Sequence, residues 1–232
     1  MASLSLDLPE VPFFGRSFNE YLLFSGLRSA ELAGRRVLDC AAGPSAFAAE
    51  AAARGCDVTA VDPLYNRGEA ALRAIATDAF RGLFAQMRDQ PQLISTRTFP
   101  SVDAAEADRK AALEQFLSDY YVGVAVGRYR CGALHVLPFA DGAFDVALCA
   151  HLLFTYDHRF DLDFHIAAVR ELCRVAPREV RIHPVVNRTG TTSSLLAPVR
   201  EALSAHGIRS ELVDVDHAFF RGTSRTMILR RV

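Results

Sequence analysis

The chain lacks any run approaching the ~20 apolar residues that a membrane-spanning helix needs, so no membrane partner is expected. It also lacks an excess of charge. Its 26 basic and 27 acidic residues leave a net charge of −1, which offers no global attraction to nucleic acid or to an anionic surface. Lys110 is the only lysine, so nearly all the positive charge is arginine. The five cysteines, at 40, 56, 131, 149 and 173, have no Cys-x-x-Cys spacing, and four lie in or beside apolar runs. They read as reduced core residues of a cytosolic protein rather than as disulfide or zinc partners. His165, His183, His206 and His217 are dispersed without helical i, i+4 pairing, so no metal site is expected. The N-terminus has neither a basic patch nor a long apolar core, and a secretory leader is not expected. Internal repeats and low-complexity tracts are missing too. At 232 residues the chain can bury one sizeable core as a single domain, 1–232.

The most informative stretch is Val37-Leu38-Asp39-Cys40-Ala41-Ala42-Gly43-Pro44-Ser45-Ala46-Phe47, followed at Asp62 by the close of a second apolar run. An apolar strand from Arg36 enters a turn at Gly43-Pro44-Ser45. Residues 45–54 then read as a helix, with Phe47, Ala48, Ala51 and Ala52 on one face. Gly55 stands at its C-cap, and Val58-Thr59-Ala60-Val61 forms the second strand, ending in Asp62-Pro63. Strand, tight turn, helix and strand make a nucleotide-binding unit, in which Asp62 can accept hydrogen bonds from both hydroxyls of a ribose. A dinucleotide fingerprint needs Gly-x-Gly-x-x-Gly, and only one of those glycines is here. Asp39, at the end of the first strand, is poorly placed beside a pyrophosphate but suits a ligand with a cationic end. A ligand that combines ribose, adenine, sulfonium and ammonium is S-adenosylmethionine.

Residues 37–47 resemble motif I of class I S-adenosylmethionine-dependent methyltransferases, usually Asp-x-Gly-x-Gly-x-Gly, and Val58 to Asp62 resemble the acidic-loop motif that follows. Leu137-Pro138-Phe139-Ala140-Asp141-Gly142-Ala143-Phe144-Asp145 is similar to the family's segment leading into strand four. Phe14-Gly15-Arg16, Glu20-Tyr21, Asp62-Pro63-Leu64-Tyr65 and the stretch 164–175 resemble a little-characterised bacterial subgroup. The resemblance covers roughly residues 13–65 and 128–232. It implies an α/β, Rossmann-like fold: a seven-stranded, mostly parallel sheet with an antiparallel last strand and helices on both faces. It also implies S-adenosylmethionine as cofactor, with Arg16, Tyr21, Asp39, Cys40, Ala41, Gly43, Asp62, Pro63, Ala133, Leu134 and Cys149 about it. Arg16 would pair with the methionine carboxylate and Tyr21 would close over the cofactor; otherwise this segment is an amphipathic helix with Phe14, Phe18 and Leu22 on its core side. Three positions depart from the family: Ala41 and Ser45 replace the first and third glycines, and Ala133 stands where an acid often holds the adenine amino group.

Elsewhere helix and strand alternate. Residues 69–87 and 104–121 read as helices, the second with Leu113, Phe116, Leu117 and Tyr120 on a stripe. Together they make 66–127 a helical insertion after strand two, longer than one crossover requires. Either it is a further layer on the sheet or it caps the acceptor pocket, with Phe80, Phe84, Phe116 and Tyr120 partly facing it. Strand three is expected within 129–136, strand four at 145–150, a helix at 161–174 with Phe164, Ala168, Leu172 and Val175 inward, and strand five at Val180-Arg181-Ile182-His183. A helix at 192–205 and strands at 210–215 and 225–232 complete the pattern.

Chemistry belongs at the carboxyl ends of strands one, two and four. The strand-four exit, Cys149-Ala150-His151-Leu152-Leu153-Phe154-Thr155-Tyr156, contains no Asn-Pro-Pro-Tyr or Asp-Pro-Pro-Tyr, which argues against a nucleobase or amide acceptor. His151 is the first candidate for a general base, followed by Tyr156 and His158. The expected function is methyl transfer to a small-molecule or protein acceptor. The alternative is a non-catalytic S-adenosylmethionine-binding protein with an interaction or regulatory role; a nicotinamide-dependent reductase survives only through Asp62.

Overall fold

The computed structural model describes residues 10–95, 97–220 and 222–231, apart from the side chain of Leu93. The first strand is β1 (Arg36–Cys40), which pairs in parallel with β2 (Asp57–Asp62) on one side and β4 (Val146–Ala150) on the other. β3 (Tyr129–Cys131) lies parallel outside β2, and β5 (Val180–His183) parallel outside β4. β7 (Arg225–Arg231) runs antiparallel between β5 and β6 (Ile208–Asp214), giving the order β3-β2-β1-β4-β5-β7-β6. The antiparallel last strand implied by the resemblance is therefore present, inserted one place in from the sheet edge.

Alternation along the strands sorts the core into two clusters. On β1, Val37 joins one and Leu38 and Cys40 the other; on β4, Val146, Leu148 and Ala150 alternate with Ala147 and Cys149. One face is covered by α1 (Phe18–Ser25), α2 (Phe47–Ala53), α3 (Glu69–Asp89) and α4 (Val102–Ala125), and the other by α5 (Leu162–Val175) and α6 (Leu196–Ala205). Among the described residues, no helix is long and apolar enough to cross a membrane.

Several boundaries differ from the expected ones, each for a local reason. α2 starts at Phe47 because Ser45 is held in the turn, its hydroxyl donating to the Arg16 carbonyl at 2.7 Å. α4 starts at Val102 because the Ser101 hydroxyl accepts from the Ala104 N–H at 3.1 Å, satisfying a first-turn donor. The helix expected from 192 begins at Leu196, because Thr192 bridges to Val186 and the Ser193 hydroxyl donates to Asp157 at 2.8 Å. On α1 the inward side is Phe18, Tyr21 and Phe24, with Leu22 only half-buried. On α5 the inward side is His165, Ala168, Val169, Leu172 and Cys173, and Phe164 instead turns partly outward. Cys131, on the edge strand β3, is exposed and does not meet the expectation of a core residue.

Phe80, Phe84, Phe116 and Tyr120 do not face a pocket. All four are buried in the core under α3 and α4, and the Tyr120 hydroxyl donates to the Tyr65 carbonyl at 2.9 Å. Their apolar stripe is satisfied by helix-on-helix and helix-on-sheet packing, which the spacing alone could not distinguish from a pocket wall.

A buried ion pair joins this insertion to α1. Arg109 of α4 forms a forked pair with Glu20, and His217 Nε2 lies 3.0 Å from the same carboxylate. Arg109 is fully buried, its guanidinium ringed by Phe14, Phe99 and Phe219 at 5.1–5.4 Å from their centroids. Burial alone would raise the Glu20 carboxyl, but the charge and hydrogen bonds of Arg109 and His217 bring it down to about 2.

Candidate functional site

At the carboxyl end of β1 the chain turns sharply, and both Ala41 (φ 59°) and Gly43 (φ 58°) adopt the left-handed conformation. The resemblance's preference for glycine at position 41 thus has a backbone cause, since a Cβ there is strained. Asp62 ties the turn down. One carboxylate oxygen accepts from the Gly43 N–H at 3.1 Å and the other from the Leu64 N–H at 2.9 Å. The Tyr65 hydroxyl donates to the Gly43 carbonyl at 2.5 Å, closing the turn from the far side. Burial raises the Asp62 carboxyl to about 6, against the lowering effect of those two backbone N–H groups. The segment before α1 lies across the turn so closely that a Cβ on Gly15 would sit 1.9 Å from the Pro44 carbonyl oxygen.

This turn forms one end of a cavity of about 650 Å³ that continues past the exits of β4 and β5. Ten of the expected residues line it: Arg16, Cys40, Ala41, Gly43, Asp62, Pro63, Ala133, Leu134, His151 and Tyr156. Three do not. Asp39 is fully buried behind the turn, where it accepts from the Tyr21 hydroxyl at 3.1 Å. Tyr21 is stacked on Phe47 at 4.4 Å and supports the turn from beneath instead of closing over a ligand. Cys149 pairs in register with Cys40 and faces the α5 side of the core. Asp39 and Cys149 each stand one residue short of their strand's end, while Asp62, the last residue of β2, reaches the opening. Of the weaker base candidates, His158 is exposed and stands outside the cavity lining.

The charged groups are unevenly partnered. Arg16 donates to the Phe14 carbonyl at 3.3 Å, its Nε has no hydrogen-bond partner, and burial, followed by the nearby Arg109, lowers it to about 10. It is a cation at neutral pH in the cavity wall. His151 also has a left-handed backbone (φ 55°), and its N–H donates to the His183 carbonyl at 2.5 Å. Its ring packs edge-on against Phe24 and His183, and Nε2 lacks a partner. Burial, then the positive charge of Arg16, pushes His151 well below its usual range, so the imidazole is neutral. Burial likewise raises the Tyr156 phenol.

A seven-stranded sheet in this order, a left-handed turn after β1 and an acid closing β2 settle the fold. It is the fold of class I S-adenosylmethionine-dependent methyltransferases. No family model matches the chain. An uncharacterised protein of Methanocaldococcus jannaschii is 28% identical over 233 residues, 97% of this chain and 99% of that one. A 55-residue stretch, 22% of this chain, is 44% identical to the RNA-binding protein KhpA of Streptomyces coelicolor, covering 70% of that protein. Among solved structures, magnesium protoporphyrin IX methyltransferase from Synechocystis PCC 6803, with bound SAM, aligns at 15% identity and TM-score 0.46 over 88% of this chain and 73% of that one. A TehB-like SAM-dependent methyltransferase from Corynebacterium glutamicum aligns at 14% identity and TM-score 0.47 over 91% and 92%.

Within this methyltransferase fold, the far end of the cavity was missed from sequence. It is lined by Ile75 and Leu83 of α3, Phe164 of α5, Phe160, Phe220 and the loop Asn187-Arg188-Thr189-Gly190. The apolar members carry no local signal that separates a pocket wall from core. The loop does carry one, because Asn187 followed by Thr189, Gly190 and Thr191 is a turn-forming sequence.

Proposed function

We propose that this protein binds S-adenosylmethionine at the β1–β2 end of the cavity and transfers its methyl group to an acceptor held at the other end. The observation that carries this reading is Asp62. Each of its oxygens accepts one backbone N–H and keeps a lone pair, and the carboxylate stands in the cavity wall where a ribose diol can donate to it. The unpartnered Nε of Arg16, in the same wall, fits the carboxylate of the methionine part. Pro63, Ala133 and Leu134 offer a small, apolar bed for the adenine. The residues present therefore fit the cofactor.

When bound, S-adenosylmethionine supplies an electrophilic methyl group on a sulfonium sulfur, which keeps the electron pair of the broken bond. The protein's part is to orient the acceptor, exclude water and take up a proton. His151 would do the last of these, since a neutral imidazole has one nitrogen free to accept the proton an acceptor oxygen or nitrogen releases. Tyr156 would orient the acceptor, as its raised phenol stays protonated and can donate. α3 would cover the acceptor end through Ile75 and Leu83.

Calorimetric titration with S-adenosylhomocysteine, with NAD as the control ligand, tests the reading. Asp62→Ala should weaken S-adenosylhomocysteine about ten- to a hundredfold, the cost of roughly 1.5–3 kcal/mol for a lost hydrogen bond to a charged group. Unchanged binding would remove Asp62 from the site. Binding without turnover on any acceptor would favour the non-catalytic reading, for which the strained Ala41 backbone is the supporting observation.

A further inference from the structure

Inside the cavity, beyond the residues assigned to the cofactor, six large apolar side chains are only half-buried: Ile75, Leu83, Leu152, Phe160, Phe164 and Phe220. They come from α3, from α5 and from the segments after β4 and before β7, so the chamber is walled on several sides. Their open faces gain by covering with an apolar body. Phe160 and Phe164 are stacked at 4.4 Å with planes 14° apart, presenting a paired aromatic surface.

The loop after β5 adds one charged group to the lining. Arg188 stands in the wall beside Pro184 and Val186, and among the described residues no carboxylate pairs with it. The loop that carries it is built tightly. Asn187 Oδ1 accepts from the Thr189 N–H at 3.0 Å, the Thr189 hydroxyl at 2.7 Å and the Thr191 hydroxyl at 3.0 Å, and the pair Val186↔Thr192 bridges the loop's base. The facing turn also touches it, since a Cβ on Gly222 would lie 2.3 Å from the Gly190 carbonyl oxygen. The other charged groups in the lining are Glu10, Arg67, Arg16 and Asp62; Arg67 follows β2 on the cofactor side, and the last two are assigned above. Arg188 is thus the cation that the Asn187 loop gives to the lining, and Glu10, from the segment before α1, is the carboxylate left unassigned.

We infer that the acceptor is an apolar, ring-sized small molecule bearing an anionic group, its body between α3 and the Phe160–Phe164 pair and its anion on Arg188. This deepens the methyl-transfer reading and rests on it for the role of the chamber, but the binding site itself can be tested alone.

The probes are 1-naphthylacetate and its neutral amide, 1-naphthylacetamide, which share one body and differ in charge. Calorimetry on the full chain, with and without saturating S-adenosylhomocysteine, should show the acid binding at least tenfold tighter than the amide. Arg188→Gln should erase that difference while leaving the amide and S-adenosylhomocysteine unchanged, and Leu83→Ser should weaken both naphthyl probes together. Arg188 is exposed and outside the hydrogen-bond framework of its loop, so its variant folds normally, and a melting curve verifies this. Equal binding of acid and amide, or a preference that survives Arg188→Gln, overturns the inference. If neither probe binds while S-adenosylhomocysteine does, the acceptor inference falls and the cofactor reading stands. If the acid binds through Arg188 while S-adenosylhomocysteine does not, the anion site stands and the methyl-transfer reading falls.

Discussion

The two ends of the cavity are built by opposite means. At the β1–β2 end, a few residues close in sequence bond to one another's backbone, so that Asp62, Gly43 and Leu64 fix the geometry with two hydrogen bonds. At the acceptor end, side chains from distant segments meet through packing, beside the tightly bonded Asn187 loop. A ligand whose shape never changes suits the first kind of site. The second kind can be rewritten one apolar side chain at a time without disturbing the turn, and that is how a fold keeps one cofactor while changing its acceptor.

The strongest way to break the contrast is to loosen what both ends share. Arg109→Leu leaves the Glu20 carboxylate buried without its main partner and should cost about 3–5 kcal/mol, read as a lowered urea midpoint. A loss below about 1 kcal/mol would mean that the pair merely breaks even with an apolar contact. Next in size, His151→Gln should lower kcat by about a hundred- to ten-thousandfold while S-adenosylhomocysteine still binds. Because His151 is neutral, wild-type kcat should show no inflection near pH 6.5 from this group. An imidazole ionisation in that range would contradict the burial argument.

Asp62 offers a sharper probe of the cofactor end alone. With its carboxyl at about 6, protonation replaces an acceptor lone pair by a hydrogen, so S-adenosylhomocysteine affinity should fall as pH drops through 6 while naphthylacetamide affinity holds. Parallel loss of both would show that the ends are coupled.

Asp39 separates support from contact. Burial holds its carboxyl at about 8 in the folded protein, against 3.8 for the ordinary group, so the folded state retains a proton the unfolded chain releases. That contribution to stability is complete below pH 3.8 and declines as pH rises to about 8. Asp39→Asn should therefore raise Tm relative to wild type at pH 9 and do so much less at pH 5, with calorimetric affinity for S-adenosylhomocysteine within about threefold. The smallest effect is expected from Ala41→Gly. Relief of the left-handed alanine, set against the entropy glycine adds to the unfolded chain, should change stability by about 1 kcal/mol or less. A hundredfold gain in cofactor affinity instead would mark the natural turn as impaired.

Sequence reading reached the first end of the cavity and not the second, for a physical reason. Strand alternation, the Gly43 turn and the acid at Asp62 are local signals, and all fall within a few tens of residues. Even there, strand register was needed: Asp39 pairs with Ala60 and Asp62 lies two residues further toward the opening on the same face. The apolar stripe of Phe116 and Tyr120 was legible as a stripe but silent about what covers it. Phe164 misled because it sits on the correct helical face, yet the cavity opens beside it. The Glu20, Arg109 and His217 cluster joins residues 89 and 197 positions apart, beyond the reach of any spacing rule.

That same cluster ties together three distant parts of the chain. Glu20 sits on α1, a helix of 8 residues that is too short to be stable without tertiary packing. The segment that carries Arg16 and overlies the Gly43 turn is thus held to the insertion twice, by this cluster and by Phe13 and Phe14 packed on Phe116, Phe80 and Phe84. One wall of the binding site is therefore only as firm as the fit between the two ends of the chain and the insertion.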